Sequence, residues 1–256
     1  PRGMLGSGAL NIKPLKKKLF LLNAKIMGLY RNIRWHTSSE AESKEVQLIF
    51  GKTANTTVAL NLSQPRELKN HKRTKNPGIL RAAFLSRISY KKNLEGTLKI
   101  LAGLPSSLRV EFDIYGPVEE PEYWKRCEDL IQQMPSHIRV QYKGAIANEK
   151  VTETLREYHL SILLTFNENF GHSIVESLAA GCPVLLSDQT PWKSLATQHA
   201  GWEFPLSEES SIREALCTIG QMDQTTFDKW SNGALTLAEK IIRNPESIQQ
   251  HHILFS

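Results

Sequence analysis

Two glutamates, Glu168 and Glu176, stand with seven residues between them in the stretch Glu-Asn-Phe-Gly-His-Ser-Ile-Val-Glu. An apolar run, Leu160 to Phe166, precedes them, and Ala-Ala-Gly-Cys-Pro-Val-Leu-Leu follows from Ala179. The pattern reads as a buried strand, a loop with one carboxylate and a glycine, a helix with a second carboxylate, then another buried strand. Such a unit puts the loop at the carboxyl edge of a parallel sheet, where open α/β folds bind their ligands. Gly171 allows a turn or a close approach that a side chain would block. His172 and Ser173 open the helix, and helix N-termini attract phosphate through their amides and dipole. Glu176, in the first turns of that helix, would repel phosphate but suits a neutral diol such as ribose; it could equally serve only the helix dipole. Glu168 is either a ligand group or a solvated loop residue.

A second loop at the same edge joins a strand ending near Ser86 to a helix starting near Asn93, and it carries Arg87 and Lys92. A lone loop lysine is usually solvated surface. Beside an arginine at a ligand-binding edge, the pair can neutralise a diphosphate, the guanidinium in bidentate fashion. Gly116 and Gly144 each end a strand and either line a pocket or make tight exits.

Absences narrow the chemistry. The sequence has no Asp-x-Asp, the usual carboxylates for a metal holding a nucleotide diphosphate, so Arg87, Lys92 and the helix terminus must supply the positive charge. No metal or other cofactor is expected. Neither Gly-x-Gly-x-x-Gly nor a P-loop is present, and without a Gly-x-Ser-x-Gly elbow Ser173 beside His172 makes no triad. His251 and His252, in a polar tail, are read as inert.

The elements that must position these groups alternate. Strands are predicted at 79–85, 110–115, 138–142, 160–166, 183–187 and 201–204. Helices are predicted at 93–103, 121–134, 149–158, 173–180, 192–198, 208–220 and 225–243. Alternation implies parallel pairing through crossovers, hence an α/β three-layer Rossmann-like domain. Ahead of it, Leu15, Leu19, Leu22, Ile26 and Leu29 form one helix face over 15–30. Ser39 and Glu42 suit a capping box on a helix ending at Gly51, and 56–60 reads as a strand. Residues 61–77, polar and basic with Pro65 and Pro77, suit a linker. The division is thus 1–65, a partial and mainly helical segment; 66–245, the α/β domain; and 246–256, a tail.

The formal charge of +6 is local. Residues 1–34 hold eight basic residues and no acidic one, and subtracting them leaves −2 for the other 222. This segment could meet an anionic membrane surface or an acidic partner, or it could be a solvated helix face. No aromatic interleaving or reading module argues for nucleic acid. Cys127, Cys182 and Cys217 are odd in number and far apart, as in a reduced cytosolic protein. No apolar run is long enough to span a bilayer, and no signal peptide is evident. The start at Pro1 reads as a fragment.

These motifs resemble the retaining glycosyltransferases of family 4, whose GT-B fold sets two Rossmann-like domains around a cleft. The resemblance rests on Glu168 to Glu176 with Phe170 and Gly171, the following Ala-Ala-Gly-Cys-Pro-Val, Ser86-Arg87 with Lys92-Asn93-Leu94, Tyr115-Gly116, and Ser187 to Trp192. It covers roughly residues 77 to 245, the donor-binding domain. Trp35 to Ser38, with Glu40 and Glu42, resembles the end of the family's N-terminal domain, and Asn61 falls at the handover. The resemblance implies that Arg87 and Lys92 hold the diphosphate and Glu168 lies at the transferred sugar. It implies that Phe170 and Gly171 offer amides to sugar hydroxyls and that Glu176 binds ribose. Arg87, Lys92 and Glu168 are thus the catalytic candidates; Gly116, Phe170, Gly171, His172, Ser173 and Glu176 join Arg87 and Lys92 as donor-binding candidates. The expected reaction is metal-independent, retaining hexosyl transfer from a UDP- or GDP-sugar to a saccharide or lipid-linked acceptor, in surface polysaccharide or glycolipid synthesis. The expected location is cytoplasmic, peripheral to the membrane's inner face. The alternative is a non-catalytic nucleotide-sugar-binding module, since most of the N-terminal domain lies outside this sequence.

Overall fold

The computed structural model describes residues 4, 5, 10, 14–59 and 73–244. Asn61, His251 and His252 lie outside them. The chain divides into two compact units, Pro1–Gln64 with Arg243–Ser256, and Pro65–Ile242.

In the first unit, α1 (Pro14–Ile26) stops short of the predicted 30. Gly28, at φ 63°, ends it, and the Leu29 amide reaches back to the Ala24 carbonyl, a Schellman closure. The predicted apolar face, Leu15, Leu19, Leu22 and Ile26, is exposed. A three-residue strand that periodicity does not reveal, β1 (Trp35–Thr37), pairs in parallel with β2 (Thr56–Val58). Between them α2 (Glu40–Phe50) is capped by Ser39, whose hydroxyl accepts the Glu42 amide at 3.2 Å. The Glu42 carboxylate accepts the amide and hydroxyl of Ser38, at 2.7 and 2.9 Å.

The second unit is one parallel six-stranded sheet: β3 (Ile79–Leu85), β4 (Arg109–Tyr115), β5 (Ile138–Gly144), β6 (Leu160–Leu163), β7 (Val184–Ser187) and β8 (Gly201–Phe204). Their spatial order is β5-β4-β3-β6-β7-β8, so the chain winds outward from β3 in one direction and then returns to wind in the other. Helices α3 (Leu94–Ala102), α4 (Pro121–Gln132), α5 (Asn148–Leu155), α6 (His172–Ala179), α7 (Glu209–Gln221) and α8 (Gln224–Ile242) pack in two groups. One group is α3 with α4 and α7, and the other is α6 with α5 and α8. This is the three-layer α/β architecture expected. The interior strands are apolar on both faces, as buried parallel strands must be: in β3, Leu80, Ala82 and Phe84 join the main core while Ala83 faces a smaller one with Val151, Leu155 and Cys182.

Two expectations need correction here. No α-helix forms over 192–198, only a single 3-10 turn at Ala196–Gln198. The Glu203 carboxylate on β8 takes the amides of Ser194 and Leu195, at 2.6 and 3.1 Å, and Ser194 and His199 adopt positive φ, which interrupts a helix. The described end of the proposed linker, 73–77, is no solvated tether, because Arg73 and Lys75 are buried. Arg73 donates to the carbonyls of Tyr158 and Ala180, and Lys75 Nζ donates to those of Asn76 and Gly220. Desolvation lowers Lys75 to a pKa of about 8. Beside them His159 is buried, accepting the Arg81 amide at Nδ1 (3.1 Å), with Nε2 3.0 Å from the Thr74 carbonyl. Burial pushes its pKa down to about 3.

Candidate functional site at the sheet switch point

The winding reverses between β3 and β6, whose further neighbours lie on opposite sides in the strand order. A crevice at such a switch point is where open α/β sheets bind ligands. The β3 loop leads through a 3-10 turn, Tyr90–Lys92, into α3. Asn93 joins them in a left-handed conformation (φ 53°); its side chain accepts the Gly96 amide as N-cap and donates to the Leu164 carbonyl at 2.9 Å. The β6 loop is fastened to the same turn. The Phe166 amide and the Thr165 hydroxyl both donate to the Lys91 carbonyl, at 2.9 Å, and Tyr90 stacks on Phe166 with centroids 5.1 Å apart. These bonds end β6 at Leu163, short of the predicted 166.

This stitching brings Lys92 and Glu168 into contact, Nζ to Oε2 2.5 Å, with both side chains largely covered. Glu168 also accepts the amides of Asn169 (3.1 Å) and Phe170. Burial pushes its carboxyl up, but Lys92 and the two amides outweigh burial and hold it below the usual value of 4.5. The result is an ionised carboxylate of fixed direction. Its own amide donates to the Gln189 carbonyl at 3.0 Å, which ties it to the β7 loop.

Gly171 is the N-cap of α6 at φ 80°; a Cβ there would lie 2.5 Å from Ile174 Cδ1 and 3.2 Å from Glu168 Cγ. The glycine therefore sets both the helix start and the approach to Glu168. Phe170 is buried, its carbonyl accepting the Trp192 indole N–H at 2.6 Å. His172 is exposed, while Ser173 and Glu176 are half-buried on the first two turns of α6. Gly116 ends β4 where a Cβ would be 1.9 Å from the Ser86 carbonyl oxygen, so it packs against the backbone just before Arg87. Gly144 has nothing within 4 Å of such a Cβ.

Arg87 stands apart from the Lys92–Glu168 pair: its Nη1 is 2.5 Å from Oε1 of Glu119 in the β4 loop, and both side chains are well exposed. The sequence reading missed Glu119 and, although it singled out the segment from Ser187 to Trp192, gave no role to Gln189 or the Trp192 indole. Glu119 was findable, as a carboxylate three residues past Gly116 in a loop at the same sheet edge. Gln189 acts through its backbone, which no residue type signals. Among the described residues no group of three or more His, Cys, Asp or Glu is placed to hold a metal ion.

The family described as "Glycosyl transferases group 1" matches residues 65–218, more than half of the chain. The chain belongs to this family. Among curated relatives, this group 1 chain is 26% identical over 166 residues to the poly(glycerol-phosphate) alpha-glucosyltransferase of Bacillus subtilis (strain 168), covering 64% of the chain and 24% of the relative. Sucrose-phosphate synthase from Thermosynechococcus elongatus superposes with a TM-score of 0.75 at 16% identity, over 100% of this chain and 65% of that one. Anabaena Alr3699/HepE, solved in complex with UDP and glucose, gives 0.71 at 18% identity, over 92% and 66%. The fold is one Rossmann-like half of the GT-B architecture, and the chain spans about a quarter of the curated relative's length.

Proposed function

We propose that the second unit is the donor-binding half of a retaining family 4 glycosyltransferase and that it takes a nucleoside-diphosphate sugar, with UDP the first choice of nucleotide. The observation that carries this reading is the Lys92–Glu168 pair at the switch point: a cation suited to phosphate and a carboxylate kept ionised for the sugar, locked together in one geometry. Arg87, Lys92 and the first turn of α6 supply positive charge to the diphosphate leaving group, so its departure needs no metal. Glu168 faces the transferred sugar, where a fixed negative charge stabilises positive charge developing at the anomeric carbon. The Gly171 amide serves a sugar hydroxyl, whereas the Phe170 amide, expected to do the same, already holds Glu168; Glu176 accepts from the ribose. The relative named as a poly(glycerol-phosphate) glucosyltransferase and the neighbour holding UDP and glucose support a nucleotide-sugar donor.

The acceptor would be a saccharide or lipid-linked chain of a surface polymer. The exposed apolar face of α1 beside Lys16, Lys17 and Lys18 supports contact with an anionic lipid surface; vesicles with and without anionic lipid, co-sedimented with the protein, test that contact. No helix of the described residues is long and apolar enough to cross a membrane.

Calorimetric titration with UDP and GDP, with magnesium and then with chelator, tests the central reading. Binding of a nucleoside diphosphate that survives chelation is expected; binding lost with magnesium would refute the charge assignment.

A further inference from the structure

Arg87 is already occupied at rest. Its Nη1 meets Glu119 Oε1 at 2.5 Å, and the backbone fixes that meeting. The Ile88 amide donates to the Pro117 carbonyl at 2.9 Å, and the amides of Glu119 and Glu120 both return to the Ile88 carbonyl, at 3.1 and 3.3 Å. Ile88 and Val118 form a parallel bridge, which extends the β3–β4 pairing past the ends of both strands. The Glu120 carboxylate then accepts the Tyr90 amide at 3.2 Å. Two adjacent glutamates thus divide the work: Glu120 ties the loops together, and Glu119 is left to face the guanidinium.

We propose that Glu119 is the resting counter-ion of Arg87, which a diphosphate must displace, so that Glu119 sets how strongly the site discriminates between phosphorylated and neutral ligands. The inference rests on the nucleoside-diphosphate reading of the site. An exposed ion pair is weak, whereas a bidentate guanidinium–phosphate contact is among the strong charge-assisted interactions. A diphosphate therefore displaces the carboxylate, while a nucleoside without phosphate has nothing to offer the guanidinium and leaves the pair closed. The ion pair must break before the guanidinium can turn to the phosphates, so Glu119 acts through Arg87 and keeps donor affinity below the value a free Arg87 would give.

The test is titration of UDP and uridine into the wild-type chain, Glu119→Gln, Arg87→Ala and the double variant, with folding checked by circular dichroism and Glu119→Ala as a second replacement. Glu119→Gln should tighten UDP about threefold, the scale of an exposed ion pair, and leave uridine unchanged. In the Arg87→Ala background the gain should disappear. UDP affinity that is unchanged or weakened by both Glu119 replacements overturns the inference, and so does a gain equally large without Arg87, which would mean general repulsion. A wild-type chain that binds neither UDP nor GDP overturns the underlying site reading and this inference with it. UDP binding that ignores Glu119 overturns this inference and leaves that reading standing.

Discussion

Lys92 and Glu168, 76 residues apart in sequence, meet at 2.5 Å between Nζ and Oε2, with side-chain exposures of only 10% and 17%. Lys92 belongs to the half of the sheet that winds from β3 through β4 to β5, and Glu168 to the half that winds from β6 to β8. Their ion pair joins the two halves at the point where the topology lets them separate. A pair this covered differs from the surface pairs Lys99–Glu95 and Arg213–Glu209, whose contributions are small.

Removing one partner leaves a partly buried charge uncompensated. Lys92→Ala should therefore lower stability by about 2 kcal/mol, between the values for exposed and fully buried pairs. Adding Glu168→Gln should restore part of the loss, as urea unfolding of the single and double variants would reveal. Because the folded state depresses the Glu168 pKa, its contribution is complete above the ordinary value of 4.5 and declines as pH falls through the lower folded value. The stability gap between wild type and Glu168→Gln should accordingly narrow in acid below pH 4.5.

The two glutamates of the motif should separate in binding. Glu176→Ala should weaken UDP, since the proposed ribose contact would be made in ground and transition states alike. Glu168→Ala should leave UDP affinity nearly unchanged and lower the rate of sugar transfer. Titration of both variants, followed by single-turnover kinetics, checks the assignment; loss of UDP binding in Glu168→Ala with none in Glu176→Ala would reverse the two roles.

Gly116 and Gly144 offer a matched comparison, since both have positive φ, 138° and 77°. Alanine at Gly144 meets open space, so it should cost only the backbone strain, about 1 kcal/mol. Alanine at Gly116 would drive Cβ into the Ser86 carbonyl and part the β3 and β4 loops. It should cost more than about 3 kcal/mol or prevent folding, and thermal melts of the two variants should differ accordingly.

His159 should make the fold acid-sensitive. Its folded pKa, about 3, lies below the ordinary 6.5, so the neutral form stabilises the fold fully above pH 6.5 and less as pH falls toward 3. Stability should decline across that window by up to about 1.4 kcal/mol per pH unit. His159→Gln should flatten the slope, measured as the urea midpoint from neutral pH downward.

The α/β alternation was legible because buried parallel strands leave continuous apolar runs, as in Leu160–Leu163 and Val184–Ser187. Gly171 was legible for a similar reason: the turn between strand and helix needs a residue free of Cβ. Strand β1 was not, because Trp35–Thr37 takes its identity from a parallel partner at Thr56–Val58 and carries no periodicity of its own. The absent helix at 192–198 depended on Glu203, a residue of the next strand that claims the amides of Ser194 and Leu195. Within the site, sequence indicated which cations face the crevice edge but not their partners. Lys92 with Glu168 and Arg87 with Glu119 are products of loop geometry, set by backbone bonds such as Phe166 to Lys91 and Ile88 to Pro117.

The placement of Arg73 bears on how the chain is made. A ribosome delivers residues in order, and β3, the first strand of this unit, ends up in the middle of its sheet. A nascent chain that has emerged through β5 can pair only one edge of β3. The other edge waits for Leu160 and Ser161, its partners in β6. Arg73 waits longer still, because its carbonyl acceptors on Tyr158 and Ala180 lie 85 and 107 residues downstream. The segment of this unit that leaves the ribosome early is therefore among the last to be locked, and an interruption of synthesis before Tyr158 would release a half-sheet in which β3 has an unpaired edge and Arg73 has neither carbonyl acceptor.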